Sequence, residues 1–145
     1  MPKFFKIFFI IIFLFGCGYS PIFSNQKNIN IDIVNFEGDR DINNLLSQKL
    51  TRYKSKSSEK NYKIKTNSKY DKKSLTKDAK GDSTNYRLSL EITFNIAINN
   101  ITKTIILKEE FDMKKGDTVF EEENYEKFII ENMIDLIIQK LIQQL

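Results

Sequence analysis

Side chains able to perform chemistry are few in this chain of 145 residues, which has no histidine and a single cysteine, Cys17. Histidine is the usual base that activates a serine or cysteine nucleophile, so those catalytic pairs cannot form. The common zinc sites need several cysteines or histidines and fail for the same reason. We therefore expect neither a bound metal nor a cofactor.

Carboxylates are the remaining candidates for acid–base or metal chemistry. Glu109 and Glu110 form one cluster, and Glu121 to Glu123 form another. The surrounding patterns place the first cluster on a strand edge and the second at the start of a helix, where negative charge is favourable. Nothing in the sequence brings two acids into one pocket. We expect solvated carboxylates and no enzymatic activity.

The N-terminal 16 residues have the composition of a secretory signal peptide. Lys3 and Lys6 precede an unbroken apolar run over residues 7–15. As a helix, this run would rise about 14 Å, whereas a bilayer core is about 30 Å thick. The alternative is a short transmembrane anchor, but we favour a segment that directs export and is then removed.

Cys17 ends the motif Leu14-Phe15-Gly16-Cys17, which resembles the lipobox of bacterial lipoproteins. Cleavage after Gly16 would leave Cys17 as the first residue, with diacylglycerol on its thiol. Each buried methylene contributes about 0.8 kcal/mol to membrane binding, so a cysteine that carries several acyl chains, such as palmitate, holds firmly. Gly18 stands where an aspartate typically retains lipoproteins in the inner membrane. We therefore expect a lipid anchor on the periplasmic face of the outer membrane.

Export also argues against a nucleic-acid partner, although lysines and tyrosines alternate in the middle of the chain. The formal net charge is +4, and removal of the signal peptide takes away two lysines. A domain so close to neutrality lacks the strongly basic character of most nucleic-acid binders.

Hydrophobic periodicity predicts the elements of the remaining chain. Pro21 disfavours a helix, so residues 17–28 form an extended tether. Alternating apolar residues predict strands near residues 29–36 and 62–66, and a long antiparallel hairpin over residues 86–98 and 105–113 that turns at Asn99 and Asn100. The first strand changes its apolar phase at Val34, which indicates a bulge or burial on both faces. Residues 67–84 could be either a loop or a continuation of strand pairing.

Spacings of three and four residues predict two amphipathic helices, one over residues 42–53 and one from about Glu122 to Leu145. Asp39 or Asp41 could cap the first helix. The economical arrangement is an α+β fold with two helices packed on one face of a roughly four-stranded, mostly antiparallel sheet. The predicted boundaries are 1–16 for the signal peptide, 17–28 for the lipidated tether and 29–145 for a single domain.

Four parts of the sequence resemble the LptE family of lipopolysaccharide-assembly lipoproteins. They are the start Cys17-Gly18-Tyr19-Ser20-Pro21-Ile22-Phe23, the segment Gly81-Asp82-Ser83-Thr84-Asn85-Tyr86, Phe111 late in a strand, and Asn124-Tyr125-Glu126 early in the last helix. The resemblance implies a partner, the outer-membrane β-barrel LptD, which such a protein plugs and helps to assemble. It also implies binding of lipopolysaccharide during transport to the outer leaflet.

Binding of lipopolysaccharide phosphates would need cations, and the candidates are Arg87, Lys103, Lys114 and Lys115. We place Lys103 in the hairpin turn. For any single lysine we favour a solvated charged surface over a ligand site, and Arg87 could pair with an acid on the neighbouring strand. The alternative function is an independent envelope lipoprotein that anchors or scaffolds, without a barrel partner or a glycolipid.

Overall fold

Four strands and two helices make up the computed structural model, which describes residues 29–54, 60–98 and 101–145. The elements in chain order are β1 (Ile29–Gly38), α1 (Arg40–Leu50), a 3-10 turn (Thr51–Tyr53), β2 (Lys60–Lys77), β3 (Ser83–Ile98), β4 (Ile101–Lys114) and α2 (Val119–Gln144). The predicted signal peptide, tether and lipid attachment at Cys17 lie outside the described residues, as does the turn at Asn99 and Asn100.

The strands form one sheet in the order β1-β2-β3-β4. β1 pairs in parallel with β2, and the other two pairs are antiparallel. A parallel connection needs a crossover, and α1 provides it. The register of β1 shifts between Ile33 and Asn35, so the change of phase at Val34 is a bulge. The predicted α+β fold with a mostly antiparallel sheet is confirmed.

The hydrophobic core lies between the sheet and the two helices. β3 runs through the sheet interior, and alternate side chains from Leu88 to Ile96 are at most 2 % exposed. Each helix buries one apolar stripe, which in α1 comprises Ile42, Leu46 and Leu50, and in α2 comprises Ile129, Met133, Ile134, Ile137, Ile138 and Leu141. Lys49 on α1 contacts Asp135 on α2 at 2.6 Å. Burial of these stripes supplies most of the driving force for packing helices on a sheet.

β2 is much longer than the predicted strand near residues 62–66, and it pairs with β3 as far as Lys77. Beyond Ile64, several side chains that face the helices are polar and find partners there. Ser68 Oγ donates to Asn43 Oδ1 at 2.8 Å, and Tyr70 donates to Glu126 Oε1 at 2.5 Å. The uncertain segment 67–84 is thus a continuation of strand pairing followed by a turn at residues 78–82.

Both helices begin with side-chain caps. Asp39 Oδ1 accepts hydrogen bonds from the amides of Asp41 and Ile42 at 3.0 Å each. Thr118 and Glu121 form a capping box for α2, with both bonds at 3.2 Å. The second helix therefore begins at Val119, three residues before the predicted start. The missed signal was the Thr-x-x-Glu spacing. The two side chains at this spacing accept hydrogen bonds from two backbone N–H groups that are otherwise free at a helix start.

Gly38 leaves less room for a Cβ atom than the other described glycines, and this gives a stability prediction. Its φ is +91°, and an added Cβ would lie 1.9 Å from the carbonyl oxygen of Ser68. We expect Gly38→Ala to lower the free energy of unfolding by about 3 kcal/mol or more. Alanine is strained in this left-handed backbone conformation, and its Cβ atom would push β1 away from β2. Urea unfolding of a lipid-free form, residues 18–145, measures this cost.

Gly81 offers a matched control because its φ is also positive, at +89°, while an added Cβ would meet nothing within 4 Å. Gly81→Ala should cost only about 1 kcal/mol, the conformational part alone. Equal losses in the two variants would show that the contact at Ser68 has no energetic weight.

Candidate functional site

The sheet face opposite the helices, here called the open face, is polar along its whole length. On β3 it carries Arg87, Ser89, Glu91, Thr93 and Asn95. The neighbouring positions are Lys65, Asn67, Lys69, Asp71 and Lys73 on β2, and Thr104, Ile106, Lys108, Glu110 and Asp112 on β4. Ile106, which is 62 % exposed, is a large apolar exception. The open face therefore carries a mixture of acidic, basic, hydroxyl and amide side chains.

Several charges on the open face are paired locally. Arg87 Nε and Nη2 donate to the two carboxylate oxygens of Asp112 at 2.7 and 2.8 Å. These hydrogen bonds raise the pKa of Arg87 and lower the pKa of Asp112. Lys108 contacts Glu110 at 2.6 Å, and that bond lowers the pKa of the Glu110 carboxyl. Such exposed pairs contribute little stability, but they keep the face close to neutral.

The four predicted phosphate ligands do not form a single site. Arg87 and Lys114 lie on neighbouring strands, because Asn85 pairs with Lys114 and Arg87 pairs with Asp112. Lys103 lies in β4 rather than in the hairpin turn, and its Nζ is 3.4 Å from the carbonyl oxygen of Gln144. The 11 residues that separate Lys103 from Lys114 span about 36 Å in an extended strand. Lys115 follows β4, and its amide donates to Thr84 O at 2.9 Å.

Most carboxylates of the two clusters have structural partners. Glu109 on β4 pairs with Lys140 on α2 and so stabilises the contact between helix and sheet, whereas Glu121 caps α2. Within residues 29–54, 60–98 and 101–145, no group of three or more acids, histidines or cysteines could hold a metal ion. No helix in these segments is long and apolar enough to span a membrane.

A half-buried charge cluster that sequence analysis missed is centred on Lys72. Its Nζ lies 2.8 Å from Glu122, 2.7 Å from Glu126 and 4.4 Å from the centre of the Tyr86 ring. Only about a quarter of the Lys72 side chain is exposed, so it does not belong to a solvated lysine surface. The cluster joins β2 and β3 to the first turns of α2. Its members are far apart in sequence, and only the packing of α2 on the sheet reveals it.

Tyr70 in the same cluster predicts how stability depends on pH. Burial first, and then the hydrogen bond to Glu126, raise the pKa of its phenol well above the ordinary value. Because the folded state keeps the proton, this contribution is complete below about pH 10 and is lost as pH rises above it. The stability advantage of the wild type over Tyr70→Phe should therefore be constant up to about pH 10 and shrink as the pH is raised further.

Urea unfolding of the lipid-free form at several alkaline pH values measures that advantage. Tyr125→Phe is the control, since Tyr125 is 46 % exposed. A difference between the wild type and Tyr70→Phe that stays constant with pH would contradict the assignment.

A groove of about 960 Å³ opens between α1 and the start of α2. Its floor is apolar and includes Ile42 and Leu45 from α1, Tyr86 from β3 and Ile130 from α2. Lys115 lines it, whereas Arg87, Lys103 and Lys114 do not. We call this feature the interhelix groove. Along its length, α2 exposes the large apolar side chains Val119, Phe120, Tyr125, Phe128 and Leu136.

Comparison with solved structures shows a shared fold. The rare lipoprotein B of Shewanella oneidensis matches with a TM-score of 0.53 and 11 % identity, over 78 % of this chain and 96 % of that chain. A minor lipoprotein of Acinetobacter baumannii matches with a TM-score of 0.48 and 19 % identity, over 75 % of this chain and 91 % of that one. An uncharacterized lipoprotein B of Nitrosomonas europaea matches with a TM-score of 0.49 and 15 % identity, over 83 % of this chain and 86 % of that chain.

The first of these matches defines the class of fold, namely two helices on a four-stranded sheet as in a bacterial lipoprotein. No protein-family model matches the sequence, and no curated protein matches it. The likeness at 11 % identity therefore concerns the fold, and any particular role must be argued from this chain's own surfaces.

Proposed function

We propose that this protein is an outer-membrane lipoprotein of the LptE type that plugs an LptD-type β-barrel, helps it to assemble and assists lipopolysaccharide transport. The sequence motif at Cys17 supports the anchor, and the fold shared with a rare lipoprotein supports the class. The observation that carries the proposal is the polar, locally neutral open face of the sheet.

A plug must place one of its surfaces against the wet interior of a barrel, which is lined by polar side chains. Thr93 lies opposite Asn67 on β2 and Ile106 on β4, and Asn95 accepts a hydrogen bond from Thr104, so the face offers hydroxyl and amide groups to such a wall. Complementary charges on the barrel would fix the orientation. Apolar side chains exposed on α2 outside the interhelix groove, such as Phe128 and Leu136, offer a second contact of different character, because exposed apolar patches commonly mark interaction sites.

Phosphate binding is proposed for Arg87 and Lys114 together, which lie on neighbouring strands of the open face. Arg87 already holds Asp112 in a two-point hydrogen bond, so a lipid phosphate would have to compete with that carboxylate. A guanidinium binds phosphate through the same paired geometry, which makes the exchange chemically reasonable. Lys103 and Lys115 would have to act at separate places.

Co-purification tests the plug. The chain is co-expressed with the LptD-type barrel of the same organism and isolated from membranes in mild detergent through a tag on the lipoprotein. Thr93→Trp places a bulky ring at the centre of the open face and should reduce barrel recovery about tenfold. Lys80→Trp, in the exposed turn between β2 and β3, should leave recovery unchanged.

Failure of the wild type to co-purify with any β-barrel would overturn the proposal and leave the independent envelope lipoprotein as the better account. Equal recovery of the wild type and Thr93→Trp would show that the barrel binds elsewhere than on the open face.

A further inference from the structure

The interhelix groove is a separate surface from the open face, since it lies on the helix side of the sheet. Ile42 in its floor is 2 % exposed, while Leu45, Tyr86 and Ile130 are half-buried and pack on the core. Val119, at the edge, is 76 % exposed. The volume of about 960 Å³ is within the range of pockets that bind small ligands or several side chains. The floor therefore offers apolar surface to an occupant from outside.

The charges around this floor are unbalanced. The lining contains five carboxylates and three lysines, so it carries a net negative charge. Glu122 and Glu126 share one cation, Lys72. Among the described residues, no ion pair is formed by Asp41, Asp117 or Glu123, and none by Lys115 or Lys127, so the groups around the floor outside ion pairs are three carboxylates and two lysines. These charged residues form the rim of the groove. A positively charged occupant would neutralise the excess of carboxylates there.

We propose that the interhelix groove docks a basic amphipathic segment of a partner protein. An apolar side chain of that segment would pack on Leu45 and Tyr86, and a lysine or arginine would pair with Asp117 and Glu123. Lipid phosphates are disfavoured because they would meet an excess of carboxylates. The inference goes beyond the proposed function and does not depend on the barrel, which we place against the open face.

The test uses the full mature chain in phosphatidylcholine nanodiscs, with empty nanodiscs as the blank. The probe is a synthetic decapeptide of alternating lysine and leucine with blocked ends, and calorimetric titration gives its affinity. A glutamate–leucine peptide of the same pattern should bind about tenfold more weakly or not at all. Binding of the basic peptide should weaken as salt is raised, because the rim is exposed.

Variants locate the site. Asp117→Lys with Glu123→Lys should weaken the basic peptide about tenfold, and Val119→Ser should weaken it about threefold. The matched control is Glu91→Lys with Glu110→Lys, which makes the same charge change on the open face and should leave affinity within about twofold. Circular dichroism verifies that each variant is folded.

Three results would overturn the inference. The first is equal binding of the acidic and basic peptides, and the second is unchanged affinity in the Asp117 and Glu123 variant. The third is binding of lipopolysaccharide, titrated without peptide, that Val119→Ser weakens and the control variant does not, which would show that the groove accepts anionic lipid. The co-purification experiment on the open face is unaffected by any of these outcomes, so the two proposals fail separately.

Discussion

Phe94→Ala should lower the free energy of unfolding by about 3–5 kcal/mol, a large part of the roughly 5–15 kcal/mol that holds a domain of this kind together. Phe94 is 0 % exposed and lies within β3, between Thr66 on β2 and Ile105 on β4. Loss of the ring removes its transfer free energy and leaves a cavity, because close-packed neighbours relax only partly.

Urea unfolding of the lipid-free form, residues 18–145, measures this loss. The matched control is Phe128→Ala on α2, where 59 % of the phenylalanine is already exposed, and it should cost less than about 1 kcal/mol. Similar losses in the two variants would contradict the placement of the core between the sheet and the helices.

Cys17→Ser should keep the protein out of the outer membrane, because it removes the sulfur that we expect to carry the acyl chains. A single chain gives only marginal binding, so the several chains of a mature lipoprotein account for almost all of the attachment. Mass spectrometry of the wild type should show an N-terminus at Cys17 with added acyl mass. Cell fractionation should show the variant absent from the outer-membrane fraction.

Ser20→Ala is the control for Cys17→Ser, since it changes a hydroxyl in the same tether and should leave acylation intact. An unmodified wild-type chain that retains residues 1–16 would refute the lipid anchor. It would not affect the fold, because those residues lie outside the described structure.

Elements with strict periodicity could be predicted from the sequence. Alternation from Tyr86 to Ile98 identified β3, and spacings of three and four identified both helices, because the periods follow from local backbone geometry. The far half of β2 could not be predicted. Its inward residues Ser68, Tyr70 and Lys72 are polar, and their partners on the helices lie at least 25 residues away.

The candidate site, too, could be predicted from the sequence only in part. A cross-strand partner for Arg87 was one of the two alternatives considered, and Asp112 fills that role. The Lys72 cluster and the interhelix groove depend on how helices and strands are brought together, so no local pattern indicates them. Phe111 was expected among the apolar residues of the hairpin but is 43 % exposed, because β4 lies at the edge of the sheet.

The edge position of β1 has a mechanical consequence. β1 begins at Ile29, directly after the predicted tether, and among the described strands β2 is its only neighbour in the sheet. Tension from an anchored N-terminus would therefore reach the fold first through its outermost strand. A pull along that strand loads its bonds to β2 in shear and all at once, whereas a sideways pull would peel them one by one from Ile29. The resistance of the domain to force should thus depend on the angle at which it hangs from the bilayer.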